Sequence, residues 1–504
     1  MFKKELPRVT PEEIGISSRV LVEYLKRIKD ADIEMHGLMI ARHGKVCLEH
    51  WWAPYTKDLT HTCHSLGKSY VGTAIGVACT QGILSLNDRI VDIFSDDIRR
   101  LGIDPKGNIG KVTVEHVLMM ANGMSRHPVT GEHLIDNYLS SNFDEEPGTV
   151  FHYNTAGSCM LGAIITRITG RTLLDYLTEN VFVKTGIEMD RLNWMTFKNG
   201  LHAAPGVATT TENNLRLALL YLQNGQWEGQ RIISEDWIRR ATTKRISNYP
   251  NSNPHRDYNS GYGYQLWMCA EPDCFRFAGG QNQDAFMCRK NDLVIATHEG
   301  GVEPRDGNSM LDIISELFFR PDLPDCLPPD PEGEAMLREY LQGCRLPDWE
   351  SRPVPADADT WEGIYEVTSG RFHIEPELHA LGDKNLNSDF YNREETFTHF
   401  LSIQKKAEGL EIAFDFVRIF ARFDGKLIPV PTRGAMPPCT DTISTAYFED
   451  GGLFINTRYL QTEYTSFIHI TRADDTLTLD IRKESRTIPP RDIVINGVTL
   501  RKIK

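Results

Sequence analysis

Apolar residues recur at helical spacing over residues 17–29, SSRVLVEYLKRIK, and predict an amphipathic helix. Just before it, Thr10-Pro11-Glu12-Glu13 has the form of a helix start, with proline at the first helical position and glutamate in the first turn. The period then changes. HGLMIARHGKVCLEHWW reads as two strands around the turn Arg42-His43-Gly44-Lys45. Residues 65–81 are small and apolar and predict a buried helix stopped by Gly82. Further helices are predicted over 113–121, ended by Gly123, and over 155–169 and 211–224. Between 261 and 300, GYGYQLWM, FRFAGG and AFMCRKNDLVIATHEG read as strands separated by turns. Helices in the middle with strands from both ends predict one α+β domain, whose sheet joins N- and C-terminal pieces.

Prolines 321, 324, 328, 329, 331, 347, 353 and 355 mark a linker over 321–356, with one helical piece, EGEAMLREYLQ, inside it. Beyond Trp361 alternation of period two dominates, as in LEIAFDFVRIFARF, GGLFINTRYL, SFIHITR and TLTLDIRK. About eight such strands with polar turns make a small antiparallel barrel or sandwich. The expected division is therefore 1–320, a linker 321–356, and an all-β domain 357–504.

Size and charge narrow the function classes. A chain of 504 residues is too long for one hydrophobic core, which agrees with that division. A net charge of −14 argues against a nucleic-acid partner and against an anionic membrane surface. The N-terminal MFKKELPRV carries no apolar run of the signal-peptide kind, and no stretch approaches the roughly 18 apolar residues of a membrane span, so the expectation is a cytoplasmic protein. Ten cysteines stand scattered, with no C-x-x-C pair and no zinc-finger spacing. Reduced thiols, no disulfide, no metal and no cofactor are expected.

The chemistry concentrates at Ser65-Leu66-Gly67-Lys68. A serine hydroxyl is a weak nucleophile until a base takes its proton. Lysine can be that base if burial and the positive end of a helix pull its pKa below the free value of about 10.4. Spacing i, i+3 puts both side chains on one helix face. The spacing alone proves little, because Ser402-Ile403-Gln404-Lys405 repeats it in the strand-rich tail, where alternation puts the two side chains on opposite faces. An α/β-hydrolase nucleophile elbow is disfavoured, since Cys63 occupies the first glycine of G-x-S-x-G.

Context decides. HSLGKSYVGTAIGVACTQGILSLNDRI resembles the nucleophile helix of the serine β-lactamase, DD-peptidase and family VIII esterase group. KVTVEHVLMMANGM, EPGTVFHYNTAGSCMLGAIITRITGRTLLDYL, GVATTTENNLRLALLYLQNGQWEGQRIISEDWI and GYGYQLWM are similar to the segments that follow in that group, in the same order, so the resemblance spans about residues 10–320. It implies a β-lactamase-like fold, an antiparallel sheet flanked by helices with an all-helical region, and a serine hydrolase needing no cofactor. Ser65 is then the nucleophile, Lys68 its proton acceptor and Tyr153 the second proton carrier. In Tyr153-Asn154-Thr155, Thr155 stands where the lactamases carry an asparagine that holds a substrate amide, leaving Asn154 and Thr155 as the substrate-binding candidates. Phe277-Ala278-Gly279 aligns with the third motif, in a form resembling nylon-oligomer hydrolases, and Phe277 replaces the cation that binds penicillin or peptide carboxylates. By alternation Arg276 faces away from Phe277. The family pattern assigns the oxyanion donors to the backbone N–H groups of Ser65 and Gly280, with Gly279 and Gly280 letting a carbonyl approach the strand.

His64, His152 and His298-Glu299 are weaker candidates, and Trp51, Trp52, Tyr262 and Trp267 are read as core before pocket lining. The substrate is expected to be a small-molecule ester or amide rather than a β-lactam. The alternative is a penicillin-recognising fold retained as a sensor or binding module. The C-terminal domain is a candidate either to cover the cleft or to form a homodimer interface.

Overall fold

The computed structural model describes residues 5–128, 130–300, 309–372, 397–415, 417–432, 440–462, 464–485 and 493–504. The first helix begins later than Thr10. Glu12–Ile14 form one 3₁₀ turn, which Gly15 ends at φ 72°, and the helix proper runs Ser18–Asp30 behind its cap Ser17. Glu12 serves that helix from outside, because its buried carboxylate accepts from Ser18 N at 2.7 Å and from Ser18 Oγ at 3.0 Å.

The sheet of the first domain is built from both ends of the domain. Strands β1 (Met35–Arg42) and β2 (Lys45–Trp51) come early, and β8 (Trp267–Met268), β9 (Cys274–Gly279), β10 (Gln283–Cys288) and β11 (Leu293–Glu299) come late. Their order is β2-β1-β11-β10-β9-β8, with every pairing antiparallel. Between them lie β3 (His61–Thr62), β4 (Leu192–Thr196) and β5 (His202–Thr209), a small sheet ordered β3-β5-β4, and the two-stranded ribbon of β6 (Gln226–Trp227) and β7 (Gln230–Arg231). Every residue of β1 is buried, because both sheet faces are covered. Met39 and Ala41 pack with helices Gly67–Thr80, Thr155–Thr169 and Thr211–Leu222, while Leu38 and Ile40 pack with helix Ser18–Asp30. Of GYGYQLWM only Trp267 and Met268 form a strand. Gln265 adopts φ 59° and donates its N–H to Leu118 O at 3.1 Å, which turns the preceding backbone off the sheet.

The proline-rich segment is strapped to the first domain. Helix Pro331–Gln342, capped by Asp330, packs Leu337 and Tyr340 onto helix Ser18–Asp30, and Leu346 N donates to Ala53 O at 2.9 Å. Beyond Gly363, nine strands close into a barrel around Leu401, Ile412, Ile455, Ile470 and Leu479 among the described residues. The closure is not antiparallel throughout. Strand Val417–Arg422 meets Asp441–Glu449 in parallel at Ala421↔Ser444, and this pair removes the open edges. Among the described residues no helix is long and apolar enough to cross a membrane. The nine described cysteines are free thiols, and Cys439 lies outside the described residues.

Candidate active site

Ser65 does not sit in the α-helix. It lies in the 3₁₀ turn His64–Leu66, and the helix follows as Gly67–Thr80. Three residues per turn brings positions i and i+3 into line, and Lys68 Nζ donates to Ser65 Oγ at 2.7 Å. Lys68 is only 1% exposed. The turn is tightly determined. His64 is held at φ 49°, a left-handed conformation that costs a non-glycine residue roughly 1 kcal/mol or more. A Cβ on Gly67 would lie 2.3 Å from Ala204 O, so only glycine lets the helix start so close to β5. Gly76 likewise leaves room for the Trp237 ring.

Tyr153 immediately precedes the helix Thr155–Thr169, and Lys68 Nζ lies 4.9 Å from its ring centroid. Trp267 stacks on the same phenol at 5.7 Å and 27°. Asn154 is committed elsewhere. It caps that helix by accepting from Gly157 N at 2.8 Å, its Nδ2 donates to Met124 Sδ at 3.6 Å, and it is 1% exposed. Thr155 opens the helix and stays partly exposed.

The end of β9 reaches the turn that carries Ser65. A Cβ on Gly279 would fall 2.1 Å from Cys63 O, and one on Gly280 would stand 3.6 Å from His64 Cγ. Beyond them Gln281 at φ 63° and Asn282 at φ 58° turn the chain into β10. Asp284 Oδ1 accepts from Gly279 N at 3.3 Å, and burial pushes its carboxyl up to about 7. Phe277 points into the helical layer, edge-on to Tyr221 at 5.0 Å. Arg276 takes the other face and is fully buried, its guanidinium 4.8 Å from the Tyr258 ring and 4.0 Å from Asp257.

Of the weaker candidates, Trp52 and Tyr262 are core residues. His152 Nε2 pairs with Glu145 at 2.9 Å. His298 is more than a polar strand end. It is buried among His36, His61, Asn214 and Cys63, in a polar cluster assembled from β1, β3 and β11. Asn214 Oδ1 accepts from Tyr70 and its Nδ2 donates to His298 Nε2 at 3.0 Å, so the His298 proton sits on Nδ1, facing Thr211. Burial pushes His298 down to about 3, in keeping with a neutral ring. His36 and His61 were not legible as site residues. The run His61-Thr62-Cys63-His64-Ser65 is the available signal, since histidines crowd Ser65 there. Among the described residues no group of three or more His, Cys, Asp or Glu is arranged to hold a metal.

The family model described as Beta-lactamase matches residues 26–315. The chain belongs to the Beta-lactamase family. That family is one of hydrolases, and its match spans β1 to β11 and every residue of the site just described. Two solved structures are similar to this chain at low identity. The octameric penicillin-binding protein homologue from Pyrococcus abyssi is 13% identical with a TM-score of 0.46, covering 96% of this chain and 99% of its own. A family VIII carboxylesterase is 16% identical with a TM-score of 0.47, covering 68% of this chain and 100% of its own.

Proposed function

We propose that this Beta-lactamase-family chain is a serine hydrolase that cleaves neutral esters or amides through an acyl-enzyme on Ser65. The contact that carries the reading is the 2.7 Å bond between Lys68 Nζ and Ser65 Oγ. As an ammonium, Lys68 holds the hydroxyl oxygen; as a neutral amine it accepts the hydroxyl proton across the same contact. Ser65 Oγ then bonds to the substrate carbonyl carbon, the carbon–oxygen or carbon–nitrogen bond to the leaving group breaks, and the proton passes by way of Tyr153 to the departing alcohol or amine. Water attacks the acyl-enzyme by the reverse proton path and frees Ser65. The backbone N–H groups of Ser65 and Gly280 are the proposed oxyanion donors, a role favoured by the close approach of Gly279 to Cys63.

Two features favour neutral substrates over penicillins. Phe277 leaves no cation at the third motif, and the buried Arg276 is engaged with Tyr258 and Asp257. The wall beside Tyr153 is aromatic, with Trp267 flanked by Phe151, Tyr258 and Tyr262, which suits apolar leaving groups. The test is a fluorophosphonate probe with mass spectrometry of the labelled peptide, alongside p-nitrophenyl ester turnover. Label on Ser65 together with turnover supports the reading. An unlabelled Ser65 in a protein that turns over no ester sinks it.

A further inference from the structure

The barrel reaches the residues that lead into the nucleophile. Thr62 stands three positions ahead of Ser65. On one edge β3 pairs with β5, at His61↔Thr209 and Thr62↔Ala208. On the other edge Thr62 N donates to Gln461 O at 2.8 Å, and Thr62 Oγ1 donates to the same oxygen at 2.7 Å. Gln461 follows the barrel strand Gly452–Tyr459.

The carbonyl of Thr62 is held by a longer route from the same strand. Arg458 Nη1 donates to Glu34 Oε1 at 2.7 Å. Glu34 Oε1 meets His36 Nε2 at 2.9 Å, His36 Nδ1 meets His61 Nε2 at 2.9 Å, and His61 Nδ1 meets Thr62 O at 3.0 Å. Counting protons along this line leaves little freedom. Thr62 O only accepts, so His61 Nδ1 carries a proton. Glu34, beside Arg458, is a carboxylate and only accepts, so His36 Nε2 carries one too. The bond between the two rings needs a third. Three protons on two imidazoles make one of them an imidazolium. Of the two rings His36 touches the carboxylate, at 2.9 Å, whereas His61 meets a neutral carbonyl and is held far down by burial, which leaves the charge on His36.

The surroundings permit that charge. Tyr55 stacks on the His36 ring at 3.8 Å. His298, 5.1 Å from His61 between ring centroids, is neutral. His64 also bears on His61, and Glu299, the next residue of β11, acts on Tyr24 across the other sheet face. Among the described residues Glu34 is the carboxylate bonded to His36, and Arg458 is the cation bonded to Glu34.

We propose that His36 is a positioning residue for Ser65, a protonated link that ties the barrel through Glu34 and Arg458 to the carbonyl of Thr62. The inference rests on the assignment of Ser65 as nucleophile. When His36 loses its proton, two protons remain for three contacts, so one pair faces with lone pairs only: His61 Nδ1 and Thr62 O, the two ring nitrogens, or His36 Nε2 and the carboxylate. The line breaks, and the turn before Ser65 loses one of its two anchors to the barrel.

The test is the pH profile of Ser65 phosphonylation and of kcat for a p-nitrophenyl ester in the full chain, from about pH 5.5 to pH 10, on either side of the ordinary imidazole value. Wild type should show a falling alkaline limb. Glu34→Gln removes the anion that holds the proton and should move that limb down by about one pH unit, the effect of one neighbouring charge. Arg458→Met leaves Glu34 uncompensated and should move it up, while Arg458→Lys should leave it in place. A general loss of packing cannot produce opposite shifts. Should Arg458→Met not fold, Glu34→Gln against Arg458→Lys decides. A wild type that labels at Ser65 without a falling limb, a limb indifferent to Glu34→Gln, or shifts of one sign in Glu34→Gln and Arg458→Met overturns the inference while the hydrolase reading stands. A wild type with no labelling at Ser65 removes the hydrolase reading itself.

Discussion

Lys68 Nζ lies 2.7 Å from Ser65 Oγ, one 3₁₀ turn away, whereas the identical spacing at Ser402 and Lys405 falls on the strand Phe400–Lys405. There Leu401 and Ile403 face the barrel core, and Lys405 reaches Asp359 at 2.6 Å. Ser65→Ala should therefore lower ester turnover by about 10³-fold or more. Ser402→Ala should leave it within twofold of wild type. Equal losses in both variants, read as kcat at saturating p-nitrophenyl ester, would contradict the assignment.

Tyr153 and Asn154 are neighbours with different work. Tyr153→Phe keeps the ring that Trp267 stacks on and removes the hydroxyl. It should cut kcat by about 10²–10⁴-fold with KM little changed. Asn154→Ala removes a helix cap and should cost about 1 kcal/mol of stability, seen in urea unfolding, with kcat nearly retained. A large kcat loss in Asn154→Ala at unchanged stability would restore it as a substrate ligand.

The two glycines at the end of β9 should also separate. A Cβ at Gly279 collides with the carbonyl of Cys63, whereas one at Gly280 finds only ordinary contact with His64. Gly279→Ala should destabilise by about 1–3 kcal/mol and displace the turn that carries Ser65, losing most labelling of Ser65. Gly280→Ala should fold normally and change kcat far less. Matching effects in scanning fluorimetry and labelling would refute the packing argument.

Acid should unfold this protein early. Burial pushes His298 down to about 3 and His202 to about 4, and holds His61 well below its ordinary value. These rings are neutral when folded and take up protons when unfolded, so each makes stability fall as pH drops below about 6.5. Asp284 acts oppositely, because its raised carboxyl keeps in the fold a proton that the unfolded chain releases. These three histidines against one carboxyl take up a net of about two protons on unfolding near pH 5, roughly 2.8 kcal/mol per pH unit, and His50 and His116, also lowered by burial, add to it. Urea unfolding between about pH 5 and pH 6.5 measures that slope, and His202→Gln should lower it by about one proton, roughly 1.4 kcal/mol per pH unit. A flat profile would show that these rings are not neutral in the fold.

Much of this was written locally. The small residues of the helix after Ser65, the cap-and-helix run from Asn154 to Thr169, and the alternation of the last domain follow from which side chains lie three, four or two positions apart. Ser65, Lys68 and the glycines at 279 and 280 stand out instead by the order of the motifs, not by a local period. Contacts between distant segments follow from no such period. That Ser65 rather than Ser402 meets its lysine depends on a 3₁₀ turn packed under β5. That Asn154 is spent as a cap, that Arg276 lies buried beside Tyr258, and that a parallel pair closes the barrel were set by packing and strand register. His36, His61 and His298 look unremarkable in sequence, because β1 and β11 of one sheet meet β3 of another only when the domain is assembled. Local period determines the elements, and the burial of charge between them decides which polar side chains must meet.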